Sequence, residues 1–457
     1  MSPRPLVIER AAVATVDPEG TEHADGHVVI DGGRIVSVGP GPAINVPDGA
    51  RRVDGAGCLV TPGLVNTHHH FSQWLTRGFA PDAILFDWLQ ALYPVWALQD
   101  ADMQHAATLG SLVAMVSTGC TTAADHHYVF PADAGDLLAA EVAAAAEVGV
   151  RLHLSRGSMD LGRSAGGLPP DEVVEATDAA LAATDEAIDR FHDPSPGAMV
   201  RVTVAPCSPF SVTAELMRGA AELARRRGVR LHTHLAETVE ELRYCAETFG
   251  CTPLQHVESL GWVGDDVWFA HGVHLDEHAT ARLAATGTGV AHCPSSNGRL
   301  GAGIAPVPEL LRAGVPVGLG VDGTASNESG QLGPEMRAAL LAGRARAGAR
   351  AVTTRQALAM ATIGGARCLG RHDEIGSLEV GKLADVAVWR LDGAAHAGMA
   401  DPVAALVLGS LPPLQLLLVG GRPVVEAGQL ATVDAEAVAR AVRQASARLA
   451  ERWEAAR

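Results

Sequence analysis

The sequence predicts an α/β fold, a (β/α)8, TIM-like barrel with a small β-sandwich domain built from both chain ends. Three observations carry this. Between about Leu59 and Gly323 a short apolar run, a polar tip and a helical pattern follow one another eight times. The helical stretches close on glycine. Both flanks lack the alternation and are rich in Val, Gly and turn signals. Repeated strand and helix units of this length close into a parallel barrel.

Residues 1–58, with "HVVIDGGRIVSVG", read as strands of the small domain. The barrel is expected over 59–368, from the runs "CLVTPGLVNTHHH", "GCTTAADHH", "VRLHLSRG", "MVRVTVAPCSP", "VRLHTHLAE", "VWFAHGVHL", "GVAHCPSSN" and "VPVGLGVDG". Between them, stretches such as "ADMQHAATLGSLVAMVSTG" repeat apolar residues every three or four positions, with Gly119, Gly149, Gly228 and Gly287 placed as stops. Thr238 and Glu241 have capping-box spacing, which marks where the fifth strand hands over to its helix. The loop "RGSMDLGRSAGGLPPDE" after the third strand is long and Gly-rich, as a lid over the barrel mouth would be. Residues 369–430 return to the strand pattern and are expected to pair with the N-terminal strands. The last segment, 431–457, is an amphipathic helix expected to lie solvated on the surface.

Composition narrows the function. The 457 residues are 47% hydrophobic and 19% charged, and no apolar run approaches the roughly 18 residues of a membrane span. The start, "MSPRPLVIERAAVATVD", alternates like a strand and lacks the regions of a signal peptide, so a cytoplasmic location is expected. A net charge of −17 disfavours nucleic acid and anionic membrane as partners and leaves small molecules. The seven cysteines show no CxxC spacing, which argues against a disulfide framework and a thiolate metal site. Lys382 is the only lysine, so chemistry needing a lysine in a central pocket has almost no candidate.

In such a barrel the chemistry sits at the C-terminal ends of the strands. Residues two apart on a strand share a face, so His68 and His70 point together into the mouth while His69 points away. The fifth run offers His232, His234 and Glu237, the sixth His271 and the eighth Asp322. Each alone reads as an ordinary hydrogen-bonding or turn residue; four strand tips converging on one end read as a site. His232, His274, His278, His292 and the pair His126 and His127 are expected to be structural, although the pair could line the pocket. Imidazole and carboxylate without thiolate suit zinc, with other first-row divalent metals as alternatives. Such an ion brings the pKa of a water to about 7. Glu237, one turn beyond His234, is placed to pass a proton to a substrate.

HxH in the first run, "HLAE" in the fifth, "AHG" in the sixth, "GVDG" in the eighth and the closing "GSLEVGKLADVAVW" together resemble the amidohydrolase superfamily, in its mononuclear aminohydrolase branch. Binuclear members use a carboxylated lysine on an inner strand, and "MVRVTVAPCSPF" has none. Within the branch, "NTHHHFSQWLTRG", "TTAADHHYVFP", "LHTHLAET" and "GLGVDGTASN" resemble bacterial 8-oxoguanine deaminases, which hydrolyse the exocyclic amine of 8-oxoguanine to give urate and ammonia. The resemblance implies one divalent metal ion, Zn2+ or Fe2+, held by His68, His70, His234 and Asp322. It implies that Asp322 also accepts the water's proton, that Glu237 protonates a ring nitrogen, and that His271 hydrogen-bonds the attacking water or the developing tetrahedral centre. Gln73 stands where guanine deaminases keep a purine-contacting Gln.

Phe71, Trp74, Phe79, Phe86, Trp88, Tyr93 and Trp96 crowd the loop after the first strand, and aromatic faces stack on flat heteroaromatic rings. Phe71 and Trp74, nearest the candidate ligands, are the expected pocket walls; the others are expected in a hydrophobic lid or in the interface of a homo-oligomer. Two departures bear on substrate. Adenosine-type thioether deaminases typically show His where this chain has Cys207, and "SNESGQLGPEMR" after Asp322 differs from the 8-oxoguanine deaminase pattern. Isoxanthopterin or guanine deamination, or hydrolysis of a triazine ring, would use the same metal set. A scaffold that had lost catalysis is expected to have lost ligands, and none is missing here.

Overall fold

The computed structural model describes residues 4–457. Eight parallel strands close into a barrel: β1 (Leu64–Asn66), β2 (Cys120–His127), β3 (Arg151–Ser158), β4 (Val200–Pro206), β5 (Arg230–Leu235), β6 (Val267–His271), β7 (Gly289–His292) and β8 (Val317–Leu319). β8 closes onto β1 through Leu319 beside Asn66. Each run read from the sequence supplies one strand, but the first divides. Cys58–Pro62 pairs antiparallel with Val386–Arg390 outside the barrel, and only Leu64–Asn66 enters it. Both halves are apolar and buried, so periodicity alone does not show where the chain changes sheet.

The barrel strands are buried on both faces and therefore read as nearly continuous apolar runs. Their outward side chains, among them Val202, Leu231, Phe269 and Val317, share one core with Leu112, Leu216 and Leu283 of the surrounding helices. Burying a Val, Leu or Phe of this kind contributes about 1.5–3 kcal/mol. Gly149, Gly228 and Gly287 end their helices in the left-handed conformation, as read from the sequence. Gly119 does not: its helix ends at Val116. At φ +90° it lets Trp389 of the flanking sheet approach to 2.2 Å from where a Cβ would stand. It couples the barrel to that sheet.

Strands from both chain ends form one mixed nine-stranded sheet beside the barrel. Hydrogen bonding joins them as a single sheet. One set of its side chains, including Ile8, Val28, Ile30, Val60, Val388 and Leu418, clusters by itself, while Leu59, Ala387, Trp389 and Leu417 join the barrel core. The C-terminal helix Ala435–Ala456 is more than a solvated surface element. Its Ala445 and Leu449 pack with Leu75, Val95, Met103 and Ala107, and Arg452 pairs with Asp100. The helix thereby buttresses the segment that follows the three histidines. No helix among the described residues is long and apolar enough to cross a membrane.

Candidate active site

The tips of β1, β5, β6 and β8 bring His68, His70, His234, Glu237, His271 and Asp322 together, all buried. His68 Nε2 and His70 Nε2 lie 3.4 and 3.3 Å from Asp322 Oδ1. His70 Nε2 and His234 Nε2 are 3.1 Å apart. Three residues at these tips, Ala236 (φ +53°), His271 (φ +73°) and Asp322 (φ +65°), adopt the left-handed backbone that non-glycine residues avoid. Each such residue costs on the order of 1–2 kcal/mol. Surrounding bonds hold them: the Asp322 amide donates to the His68 carbonyl at 3.0 Å, and the His274 amide to the Ala236 carbonyl at 2.9 Å.

The hydrogen bonds on the far side of each ring decide which nitrogen is free. His70 Nδ1 donates to the His126 carbonyl at 2.6 Å and His234 Nδ1 to the Cys207 carbonyl at 2.6 Å. His232 Nδ1 donates to the Trp268 carbonyl at 2.9 Å, so its Nε2 accepts from His68 Nδ1 at 2.8 Å. Burial keeps His68 and His234 neutral, far below the usual imidazole range, and holds His232 at about 3. The Nε2 atoms of His68 and His234 therefore present bare lone pairs, to a carboxylate and to the His70 ring, and His68 Nε2 has no hydrogen-bond partner. Facing lone pairs repel unless a cation lies between them. Tetrahedral zinc with bonds of about 2.0–2.1 Å would separate its ligand atoms by about 3.3 Å, the spacing found here. The donor set fits a divalent metal.

His232, expected to be structural, orients His68 from behind. His126 lies closer to the centre than expected. Its Nε2 donates to the Ala205 carbonyl at 2.8 Å, its ring stacks on His234 at 4.8 Å, and its Nδ1 is buried without a partner. Together with His68 and His234 it forms a group whose ligating atoms all lie within 4.8 Å of one another. His127 turns away from the mouth.

Glu237 Oε2 is 3.6 Å from His271 Nε2. Burial, then the charges of Asp322 and Glu241, push the Glu237 carboxyl well above its ordinary 4.5. It is held as an acid, ready to donate. The capping box read from Thr238 and Glu241 is half formed. Thr238 caps the helix by accepting the Glu241 amide at 3.5 Å, but the Glu241 carboxylate turns back to accept the Ala236 and Glu237 amides, each at 2.8 Å. Glu241 thus fixes the backbone that aims Glu237. Two other supports come from β7, whose tip supplied no candidate from sequence. Asn297 Oδ1 accepts from His271 Nδ1 at 2.9 Å, and Ser296 donates to Asp322 Oδ2 at 2.5 Å. The motif "CPSSN" at a strand tip carried that signal.

The pocket over these groups is lined by Gln73, Trp88, Tyr93, Tyr128, Cys207 and Phe210, with Leu85, Leu89 and Leu300, and by no Lys or Arg. Gln73, read from the sequence as a substrate contact, lines this pocket. Trp74 does not reach the pocket: its ring fills the spaces left by Gly110 and Gly330, with Arg77 stacked 3.9 Å over it. Phe71 is buried in the barrel core. The aromatic walls come instead from the helix Leu85–Trp96 and from β2 and β4 tips, because the 3-10 turn Phe71–Thr76 directs the nearest aromatics elsewhere. The loop after β3 contributes Met159 and Val173 to the cluster behind Trp88 and Tyr93, without lining the pocket. Gln73 Oε1 and the Tyr93 hydroxyl are buried there without partners.

The sequence pattern of the Amidohydrolase family matches residues 59–424. The 8-oxoguanine deaminase of Pseudomonas aeruginosa is 45% identical over 90% of this chain and 92% of its own length. An isoxanthopterin deaminase from an unknown prokaryotic organism is 38% identical over 93% of this chain and 92% of its own. Among solved structures, the zinc complex of atrazine chlorohydrolase from Arthrobacter aurescens TC1 matches with a TM-score of 0.91 at 33% identity, covering 96% of this chain and all of that one (100%). The chain belongs to the amidohydrolase family, as a hydrolase of C–N bonds.

Proposed function

We propose that the protein deaminates an oxidised purine, 8-oxoguanine to urate and ammonia, with one zinc ion held by His68, His70, His234 and Asp322. The observation that carries this is the convergence of three imidazole Nε2 atoms and a carboxylate beside an acid, Glu237, under a pocket with aromatic walls and no Lys or Arg. Such a pocket suits a flat, uncharged ring and offers nothing to a phosphate or a carboxylate substituent. When bound, the ion lowers the pKa of a water and supplies a nucleophile at neutral pH.

The residues of the chain handle the protons. Asp322 takes one proton from the water as its oxygen attacks the amine-bearing ring carbon. Glu237 gives its proton to the adjacent ring nitrogen, and His271 hydrogen-bonds the tetrahedral centre. As that centre collapses, the proton on Asp322 passes to the amine, which leaves as ammonia. Glu237 recovers a proton from the new hydroxyl as it becomes a carbonyl. Water and substrate are consumed, and the enzyme returns to its starting state. Gln73 Oε1 and the Tyr93 hydroxyl, unpartnered in the pocket, are free to meet the polar edge of the ring.

The 45% identity to the Pseudomonas aeruginosa enzyme favours the oxopurine, and the 38% identity to isoxanthopterin deaminase favours a pterin as the second reading. Ammonia release from 8-oxoguanine, isoxanthopterin, guanine and an amino-triazine, measured in parallel with metal content, decides between them. The proposal expects kcat/KM to be highest for 8-oxoguanine. Faster turnover of isoxanthopterin would replace it, and no turnover of any of the four would refute both readings.

A further inference from the structure

The proposed chemistry leaves one buried polar group unused. Asp125, His127, Glu141 and Gln104 lie behind the tip of β2, none more than 4% exposed. Asp125 Oδ1 accepts the amide of Phe71, the residue directly after His70, at 2.5 Å. The next residue, His126, accepts His70 Nδ1 on its carbonyl at 2.6 Å and donates its amide to the His69 carbonyl at 2.8 Å. Two consecutive residues of β2 thus hold three consecutive residues of the arm that carries His68 and His70. The two His126 contacts use its backbone and survive a change of side chain. The Asp125 contact is made by the side chain.

What lies behind Asp125 holds it in place. Ligating atoms of Asp125, His127 and Glu141 all fall within 4.8 Å of one another. Among the described residues, neither carboxyl pairs with an Arg or Lys, and Asp125 Oδ2 and Glu141 Oε2 have no partner. His127 donates Nε2–H to the Val129 carbonyl at 2.8 Å, so Nδ1 carries a lone pair. Its approach to Glu141 Oε1, at 2.9 Å, therefore needs a proton between the two. Burial pushes Glu141 up to about 8, in keeping with a proton retained there. Gln104 Nε2 donates to the same Glu141 oxygen at 2.8 Å. The cluster is a buried, proton-sharing brace, and its bond to the arm after β1 is the one from the Phe71 amide to Asp125.

We propose that Asp125 is a positioning residue for the metal-holding arm: through the Phe71 amide it sets the direction of His68 and His70, and Glu141, His127 and Gln104 brace it. This rests on the metal reading above. Groups bonded directly to a ligand change metal affinity by about 10–100-fold when removed, and this sets the scale expected for Asp125, which holds the backbone of the residue after His70.

The test is metal affinity, measured by chelator competition on the full chain, with thermal unfolding of the metal-free protein alongside. Asp125→Ala, which removes the acceptor, is expected to weaken zinc binding about 10–100-fold. Asp125→Asn keeps an oxygen for the Phe71 amide and is expected to stay within about 3-fold of wild type. Leu112→Ala, a neighbouring core truncation, is expected to lower the unfolding temperature without changing zinc affinity. If Asp125→Ala does not fold, Glu141→Gln is measured, with zinc binding expected to weaken about 3–10-fold. Wild-type affinity in Asp125→Ala, or in Glu141→Gln where that variant is used, overturns the inference while leaving the metal reading intact. Two zinc ions per wild-type chain, one of them lost on Asp125→Ala, would also overturn it, by making the cluster a ligand set itself. A wild-type chain that takes up no stoichiometric metal overturns the metal reading, and this inference with it.

Discussion

His271 Nε2 faces Glu237 Oε2 across 3.6 Å, and His271 Nδ1 is committed to Asn297. Burial holds the Glu237 carboxyl, set against that ring, well above its ordinary 4.5, which favours its acid form. Glu237→Gln keeps the shape and removes the transferable proton. Its kcat is expected to fall by about 10²–10⁴-fold with metal content unchanged. Metal analysis together with steady-state kinetics checks this. Loss of the metal would show Glu237 to be a ligand and the roles to be wrongly assigned.

The same acid form gives a pH signature. Burial, then the charges of Asp322 and Glu241, hold Glu237 well above 4.5. The reactive species is the protonated one, so kcat/KM declines as pH rises through the shifted pKa and not as it falls through it. In Glu237→Gln the residual activity should lack that alkaline limb. A limb that persists unchanged would assign it to another group.

Glu241 acts at one remove, through two amide bonds of 2.8 Å. In Glu241→Gln the amide nitrogen must face one of those N–H donors, so one bond is lost. A bond to a charged group contributes about 1.5–3 kcal/mol, and losing it is expected to lower kcat by about 10-fold or more. KM should stay within about 2-fold, because Glu241 does not line the pocket. A change confined to KM would refute the positioning role.

The polar tips of β1, β5, β6 and β8 could be read from the sequence because strand alternation and the barrel rule together say which side chains meet. His68, His70, His234, Glu237, His271 and Asp322 needed only that. The supports did not share that advantage. Glu241 has capping-box spacing, and only the left-handed turn at Ala236 sends its carboxylate elsewhere. Trp74 and Trp88 differ little as sequence symbols; a 3-10 turn and a helix direction separate them. The division of the first run at Gly63 is invisible to periodicity because both pieces are fully buried.

Gly323 permits the placement of Gln73. A Cβ at position 323 would lie 1.8 Å from Gln73 Oε1, so Gly323→Ala must shift the amide end of that side chain. The expected result is a rise of about 10-fold in KM for the oxopurine with metal content retained. Unchanged KM would place Gln73 outside the substrate contacts.

The Glu141 brace makes a prediction about stability that is independent of catalysis. Burial raises its carboxyl from 4.5 to about 8 in the folded protein, while the unfolded chain releases that proton near the ordinary value. Between the two the folded state holds a proton the unfolded state has lost, so unfolding becomes easier as pH rises through this window. The contribution is fully present below the unfolded pKa and gone above the folded one. At roughly 1.4 kcal/mol per unit the full shift is worth about 5 kcal/mol, and sharing with His127 and Asp125 spreads the effect and leaves about 1–3 kcal/mol of it to Glu141. Glu141→Gln cannot release a proton and should lose this slope. Denaturant titrations of both proteins at about pH 5 and about pH 9 measure it. Wild type is expected to lose more stability than the variant over that range, and equal losses would mean that Glu141 does not retain its proton in the fold.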